Sequence, residues 1–479
     1  MNATTTAPHA DAPEPVLSTL NKDGTRRWLQ PRPSPGRFWK RRRALAYGLI
    51  LLFVALPHVF VGGKPAILLD LARREFTFFG TTLLATDTLF LMLFLVSLFV
   101  AVFLLTALLG RVWCGWGCPQ TVYMEFVFRP LERWLDGPRG VRSTAGRTVV
   151  KYALFLLIAV GLAHVFLSYF VGVDALARWV RRSPFEHPAS FLVMLGTTAL
   201  VFADFAWFRE QTCLVACPYG RFQSVLLDRR SLIVGYDRAR GEPRGKPIKP
   251  GGGVAALDTA LVSRGDCVDC SACVATCPTG IDIREGLQME CIHCTQCMDA
   301  CDAIMTRLDR TPGLIRYTSQ DELQGKPRRF LRVRTVIYPA LLVAAVTALV
   351  LVALNRKPMD VTVLRDRGAP FTVLSTGQVS NALRIKLVNR TAGQRQYTAV
   401  LTNTDGQPLE GVELVTPDLP ATLVAGQSTT LHAFVLMPRA ALEGGVRPVR
   451  VRVQDDAGNQ VEAATKLLGP TGAGGGSLP

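Results

Sequence analysis

Twelve cysteines, and the intervals between them, carry most of the chemistry open to this chain. Eight lie in two tandem runs. Cys267, Cys270, Cys273 and Cys277, followed by Pro278, give C-x2-C-x2-C-x3-C-P; Cys291, Cys294, Cys297 and Cys301 repeat the spacing, with Asp302 in place of the proline. This is the bacterial two-cluster ferredoxin pattern, in which three thiolates of one run and the last cysteine of the other surround each cluster. Cys267, Cys270, Cys273 and Cys301 are therefore assigned to a first [4Fe–4S] cluster, and Cys291, Cys294, Cys297 and Cys277 to a second. A zinc ribbon competes for the same thiolates, but its spacing does not demand two full sets of four.

The other four cysteines form two C-x3-C-P motifs, Cys114 and Cys118 before Pro119, and Cys213 and Cys217 before Pro218. An i, i+4 pair on a helix presents both sulfurs on one face. Paired thiolates favour a soft ion such as Cu(I). Cys114 to Cys213 and Cys118 to Cys217 are both 99 residues apart, so the motifs hold matching places in an internal repeat. Metal binding, thiol redox shuttling and plain structural packing all remain open, and the repetition with its prolines favours metal.

The elements that position these groups are mostly apolar. Mean hydropathy is +0.24, and five stretches, 44–62, 88–109, 152–173, 190–208 and 335–354, approach the length that crosses a bilayer as a helix. The net charge of +17, from 54 Lys+Arg against 37 Asp+Glu, first suggests nucleic acid. Its distribution argues otherwise. Lys40, Arg41, Arg42 and Arg43 precede the first stretch, Arg111, Arg129, Arg133 and Arg139 follow the second, and Arg328, Arg329, Arg332 and Arg334 precede the fifth. With five spans and a cytoplasmic N-terminus, all three groups fall inside. The basic excess then reads as topology, membrane lipid replaces nucleic acid as the expected partner, and all twelve cysteines face a reducing compartment that disfavours disulfides.

The fold class expected is a multi-domain membrane protein: an α-helical transmembrane core, a cytoplasmic two-cluster ferredoxin-like domain and an extracytoplasmic C-terminal Ig-like β-sandwich. In order, these are a disordered basic segment over 1–43, a four-span core over 44–238, a linker over 239–258, the ferredoxin domain over 259–325, the fifth span over 335–354, the sandwich over 358–468 and a flexible tail over 469–479. The sandwich follows from a period of two: Leu383, Ile385 and Leu387 alternate with Arg384 and Lys386, and Val449, Val451 and Val453 with Arg450 and Arg452. Ionisable groups inside spans are functional candidates, which singles out His58, His164 and Asp204 as ligands of a haem or copper, as a quinone contact, or as a helix–helix pair. His187 is expected in a solvated outer loop.

This constellation resembles the FixG/CcoG family, membrane ferredoxins that serve as accessory proteins for cbb3-type cytochrome oxidase. The likeness rests on the two C-x3-C-P motifs and the paired cluster runs, including Cys291-Ile292-His293-Cys294 and Asp299-Ala300-Cys301-Asp302. It implies an oxidoreductase of the bacterial inner membrane that reduces Cu(II) to Cu(I) for the oxidase's copper centre. On that view Cys114, Cys118, Cys213 and Cys217 bind copper, two [4Fe–4S] clusters feed them electrons, and copper-transport or oxidase-assembly proteins are partners. No nucleotide-binding glycine motif, P-loop or c-type haem motif identifies the cytoplasmic donor. A quinol-oxidising subunit and a non-enzymatic copper-binding scaffold are the rival readings, and a homodimer through the sandwich is left open.

Overall fold

The computed structural model describes residues 18–21, 23, 25–61, 63–72, 75–84, 87–137, 144–245, 265–327, 332–355, 357–366, 368–391, 393–424, 426–442 and 444–470. Most of the expected linker and nearly all of the expected tail lie outside them. The chain forms two compact units, one from Met1–His58 with Leu91–Ala348, the other from Val59–Phe90 with Leu349–Pro479.

In the first unit the main helices are α1 (Arg37–Ala55), α2 (Thr88–Leu109), α3 (Ala145–Val171), α4 (Pro188–Ala203), α5 (Gln296–Arg307) and α6 (Val333–Leu354). Four helical stretches among the described residues are long and apolar enough to cross a membrane: α2, α3, α4 with its π-helical extension to Phe208, and α6. The expected first span over 44–62 is not among these four, and its bounds differ. Its helix starts earlier, at Arg37, and ends at Ala55 in a 3-10 turn through Pro57 to His58. Within the helix the uncharged residues run from Ala44 to Ala55, and the sequence stays free of Asp, Glu, Lys and Arg as far as Lys64.

The basic segment before it is also not disordered throughout. Residues from Ser18 to Gly36 form a strap along the ferredoxin fold. Ser18 Oγ donates to the Thr279 carbonyl at 2.7 Å, and Thr276 Oγ1 donates to the Arg32 carbonyl at 2.8 Å. Leu29, 7% exposed, packs where a Cβ on Gly280 would come within 2.9 Å of it. Then α1 begins: its first free amides, on Phe38 and Trp39, donate to the Asp299 carboxylate at 3.1 and 2.7 Å. A carboxylate on another element here does what an N-cap side chain does locally.

The ferredoxin fold begins before the expected linker. Strand Ile233–Tyr236 pairs antiparallel with Ile315–Thr318, and Val234 and Tyr236 join Ile281, Ile283, Met298, Met305, Leu314 and Ile315 in one core. The 238 and 259 boundaries are corrected accordingly: the chain from Ile233 to Gly245 belongs with this fold, where Gly245 N donates to the Cys267 carbonyl.

The second unit holds the sandwich. One sheet runs Glu413–Val415, Ser428–Pro438, Gln378–Asn389, Met359–Arg365; the other runs Ala421–Leu423, Arg395–Thr402, Val446–Asp455, Gln460–Leu468. Leu383, Ile385, Leu387, Val449, Val451 and Val453 are all at most 2% exposed and share one core. Each such side chain contributes about 1.5–3 kcal/mol by burial. The stretch between α1 and α2, read from the sequence as a loop, adds short antiparallel strands to this unit, where Asp87 pairs with Arg390 at 2.8 Å.

Candidate functional site

The cluster runs fold as the spacing requires. Asp269 and Ser271 in the first run, and His293 and Thr295 in the second, all have positive φ, between 49° and 62°. These left-handed residues occupy matching places, two after the first cysteine and one after the second, and curl each loop so its sulfurs face inward. Strained backbone of this kind costs about 1–3 kcal/mol per residue and collects at functional sites.

Two cavities of similar size result. One is lined by Cys267, Cys270, Cys273 and Cys301 with Tyr236 and Ile315. The other is lined by Cys277, Cys291, Cys294 and Cys297 with Val234, Ile281 and Ile292, and Cys273 edges into it. Electrostatics divides the sulfurs in the same way. Burial raises the Cys301 thiol to about 12, with Cys273, Cys267 and Cys270 adding to the shift. Burial likewise raises Cys291 to about 12, helped by Cys294 and Cys277. Among the described residues no three His, Cys, Asp or Glu side chains converge on a single ion. Sulfurs spaced around a cavity suit a cluster better than a lone zinc, so the residues present fit two [4Fe–4S] groups.

The membrane-face motifs differ from expectation in local structure. Each was read as a cysteine pair on one helix. Instead the helix breaks at the second cysteine: Cys118 (ψ 127°) and Cys217 (ψ 111°) are extended N-caps of new helices that begin at Pro119 and Pro218. A proline forces its predecessor out of helical geometry. Cys114 lies in the short α-helix Val112–Trp116, whereas Cys213 lies in the π-helical turn Thr212–Ala216.

The repeat nevertheless brings the four sulfurs within electrostatic reach of one another, although among the described residues no three of them converge on one ion. Burial pushes Cys114 up to about 11, and Cys118 and Cys217 add to that shift. Cys213 is pushed to about 12 by burial, with Cys118, Cys114 and Cys217 contributing. Burial also raises Cys118, opposed by the Gln120 and Thr121 amides that donate to it. Desolvated thiols of this kind stay protonated until a cation displaces their protons. Cross-links tie one motif to the other. Cys114 Sγ donates to Gln223 Oε1 at 3.0 Å, and Gln120 Nε2 donates to Asp204 Oδ1 at 3.1 Å and the Arg209 carbonyl at 2.9 Å.

The second cluster loop sits directly on the first motif. A Cβ on Gly115 would lie 2.5 Å from the Ile292 carbonyl oxygen and 2.8 Å from Cys294 N, so only glycine permits this approach. Arg111 N donates to His293 Nδ1 at 3.2 Å, and Arg111 Nη2 donates to the Gly220 carbonyl at 2.9 Å. Trp116 Nε1 donates to Tyr317 Oη at 3.1 Å, and Tyr317 Oη to the His293 carbonyl at 3.4 Å. Sequence reasoning missed Arg111, Gln120, Gln223, Gly115 and Arg42 as parts of this junction; the two glutamines and Gly115 stood inside or beside the motifs, but their reach was not readable.

The intramembrane candidates are not brought together. His58 Nδ1 meets the Val54 carbonyl at 3.1 Å, and His164 Nδ1 meets the Val160 carbonyl at 2.8 Å, each one turn back on its own chain. Asp204 accepts from Gln120 and Thr212, so of the alternatives open to it the structure shows a helix–helix contact and no pairing with either histidine. His187 is not simply solvated: it stacks on Trp179 at 4.1 Å and with His164 lines a cavity of about 160 Å3. That cavity lies at the start of α4, whereas Cys213 lies beyond its end.

Comparison with known proteins agrees with the cysteine pattern. Family models match for a 4Fe-4S dicluster domain over residues 208–320, a 4Fe-4S binding domain over 91–141 and the IG-like fold at the C-terminus of FixG over 349–470. Protein RdxA of Cereibacter sphaeroides is 32% identical over 416 residues, covering 82% of this chain and 85% of the relative. Nitrogen fixation protein FixG of Rhizobium meliloti is 30% identical over 464 residues, covering 86% and 87%. A crystal structure of a FixG-related protein from Vibrio parahaemolyticus aligns with 24% of this chain and 97% of its own, at 17% identity and a TM-score of 0.21.

Proposed function

Because the chain belongs to the FixG family and is an iron–sulfur electron-transfer protein, we propose that it reduces Cu(II) to Cu(I) at Cys114, Cys118, Cys213 and Cys217, in the service of cbb3-type oxidase assembly. One observation carries this reading: four partly buried sulfurs from motifs 99 residues apart lie within electrostatic reach of one another, and Gly115, inside the first motif, touches the loop of Cys291 and Cys294. When bound, the two clusters supply one-electron storage between a cytoplasmic reductant and that site. The protein's own residues do the rest. Eight cysteines hold the clusters in two sets, Arg111 and Tyr317 fix the second loop against the membrane-face motif, and Gln223 and Gln120 lock the two motifs to each other. Soft thiolates favour the cuprous product. With α1 as a fifth crossing, the charge distribution around the spans puts the N-terminus and ferredoxin fold in the cytoplasm and the sandwich in the periplasm.

The test is to purify the holoprotein anaerobically, reduce it, add Cu(II), and follow re-oxidation beside a Cu(I) indicator. Stoichiometric Cu(I) that disappears in a Cys114/Cys118/Cys213/Cys217→Ser variant supports the reading. Copper bound without turnover makes the protein a scaffold instead. A second reading rests on the 4Fe-4S binding match over 91–141, a stretch that holds only Cys114 and Cys118: joined by Cys213 and Cys217, they complete a cluster's ligand set. Iron content decides, since three clusters' worth per chain rather than two supports it.

A further inference from the structure

Arg42 is 1% exposed, the largest side chain so completely buried in the molecule's described part. Its Nε donates to the Gly115 carbonyl at 2.9 Å, and its guanidinium lies 5.6 Å from the Phe126 ring centroid. Both Nη groups are buried without a hydrogen-bond partner. Neighbouring buried arginines are different: Arg129 has Glu125 at 2.8 Å and Arg209 has Glu132 at 2.9 Å. Arg42 has no carboxylate paired with it among the described residues, although its charge helps Arg129 and Arg133 hold the buried Glu125 below the ordinary carboxylate range. A cation removed from water without a counter-charge destabilises a fold strongly. Something must compensate it.

Position says what. Arg42 lines a cavity together with Cys213, Pro278, Thr279 and Ile292, and the two carboxylates in that lining, Glu125 and Glu210, are already paired with Arg129 and Arg209. Thr279 and Ile292 are also walls of the second cluster cavity. The carbonyl that Arg42 holds belongs to Gly115, the residue pressed against the Ile292 carbonyl and the Cys294 amide of the second cluster loop. The first cluster cavity has an arginine too, Arg284, but its charge is already taken: Nη1 meets Asp269 at 2.5 Å and Nη2 meets Asp282 at 2.6 Å.

We propose that Arg42 is a positioning residue whose unpaired buried charge is the counter-ion of the second cluster, raising that cluster's reduction potential above the first's while anchoring the membrane-face motif through Gly115. This rests on the assignment of the second cluster to Cys277, Cys291, Cys294 and Cys297, and not on copper being the substrate. A cluster gains negative charge on reduction, so a fixed cation beside it favours the reduced form. An opposed pair such as Arg284 with its two aspartates does so far less.

The test is a potentiometric titration of the anaerobically purified holoprotein, followed by electron paramagnetic resonance. The wild-type chain gives two one-electron transitions. A Cys270→Ser substitution perturbs the first cluster and so assigns them. In Arg42→Met the second transition moves to lower potential by at least a tenfold change in its equilibrium constant, about 59 mV for one electron, while the first stays in place. Arg42→Lys, which keeps the charge, restores most of the shift. Movement of neither transition, or equal movement of both, overturns the proposal. If Arg42→Met does not retain its clusters, Arg42→Lys decides alone: with a charge-based role it keeps both clusters and the wild-type order of potentials, and loss of that order overturns the idea. Copper plays no part in the readout, so failure here is distinguishable from failure of cupric reduction.

Discussion

The two cluster cavities have the same cysteine spacing, the same left-handed loop residues and similar size, yet opposite surroundings. The first has an exposed ligand, Cys270, and an arginine neutralised by two aspartates. The second has Cys291 and Cys294 each 7% exposed, His293 at 1%, the Gly115 turn pressed against its loop and an unpaired Arg42 behind it. The difference teaches that sequence-equivalent ligand sets are made inequivalent by what packs on them. One face is built for access and the other for contact with the membrane-face cysteines.

The strap tests that asymmetry most severely. Leu29 is 7% exposed against Gly280, in the turn that follows Cys277. Leu29→Ala leaves a cavity there and is expected to lower stability by about 2–5 kcal/mol, read by denaturant unfolding of the holoprotein. The second cluster's signal fails before the first's; simultaneous loss at unchanged midpoint breaks the comparison.

Gly115 comes next. A Gly115→Val side chain meets backbone at Ile292 and Cys294, which cannot yield as a side chain would. Overpacking costs about 1–3 kcal/mol, so the variant is expected to form Cu(I) about ten- to a hundredfold more slowly while the first cluster keeps its spectrum. Gly117→Ala is the control, because its added Cβ meets only the Trp113 ring, at 2.8 Å, which can shift. Equal rates in the two variants would remove the contact from the mechanism.

Exposure gives a smaller effect. Under mild oxidant with a chelator, the first cluster is expected to bleach about tenfold faster than the second, because Cys270 is open to solvent and thiolate chemistry follows access. Time-resolved paramagnetic resonance distinguishes the two, and loss of the second first would reverse the assignment of faces.

How much of this was legible depends on the range of the interactions. The sandwich was readable because alternation is local: Leu383, Ile385 and Leu387 point inward wherever the partner strand comes from. The division of cysteines into sets was readable because their spacing constrains the loops themselves. The strap was not, since Thr276 and Thr279 lie more than 240 residues from the groups they bond. Arg42 was read with Lys40, Arg41 and Arg43 as one topology signal; burial separates it from them, and burial depends on Gly115 and Phe126, far along the chain. The bounds of the first stretch shifted for a related reason, because charged residues that looked like a flank are the first turns of a helix, and among them Arg42 alone is buried.

The least effect is expected where α1 meets the first-cluster side. Arg37 reaches Asp302 at 3.6 Å with 64% of its own side chain exposed. Solvent screens such a pair, and its two long side chains lose rotamer freedom in forming it, so Arg37→Ala is expected to change stability by less than about 1 kcal/mol. Five residues along the same helix, Arg42 is buried and without a carboxylate partner, and its replacement should move a reduction potential. The pair therefore separates charge count from charge environment. Unfolding of Arg37→Ala in urea at low and high salt, beside its potentiometric titration, is the measurement. A shift of either cluster comparable to that of Arg42→Met would mean that net charge on α1, and not burial beside the second cavity, sets the difference between the two ends.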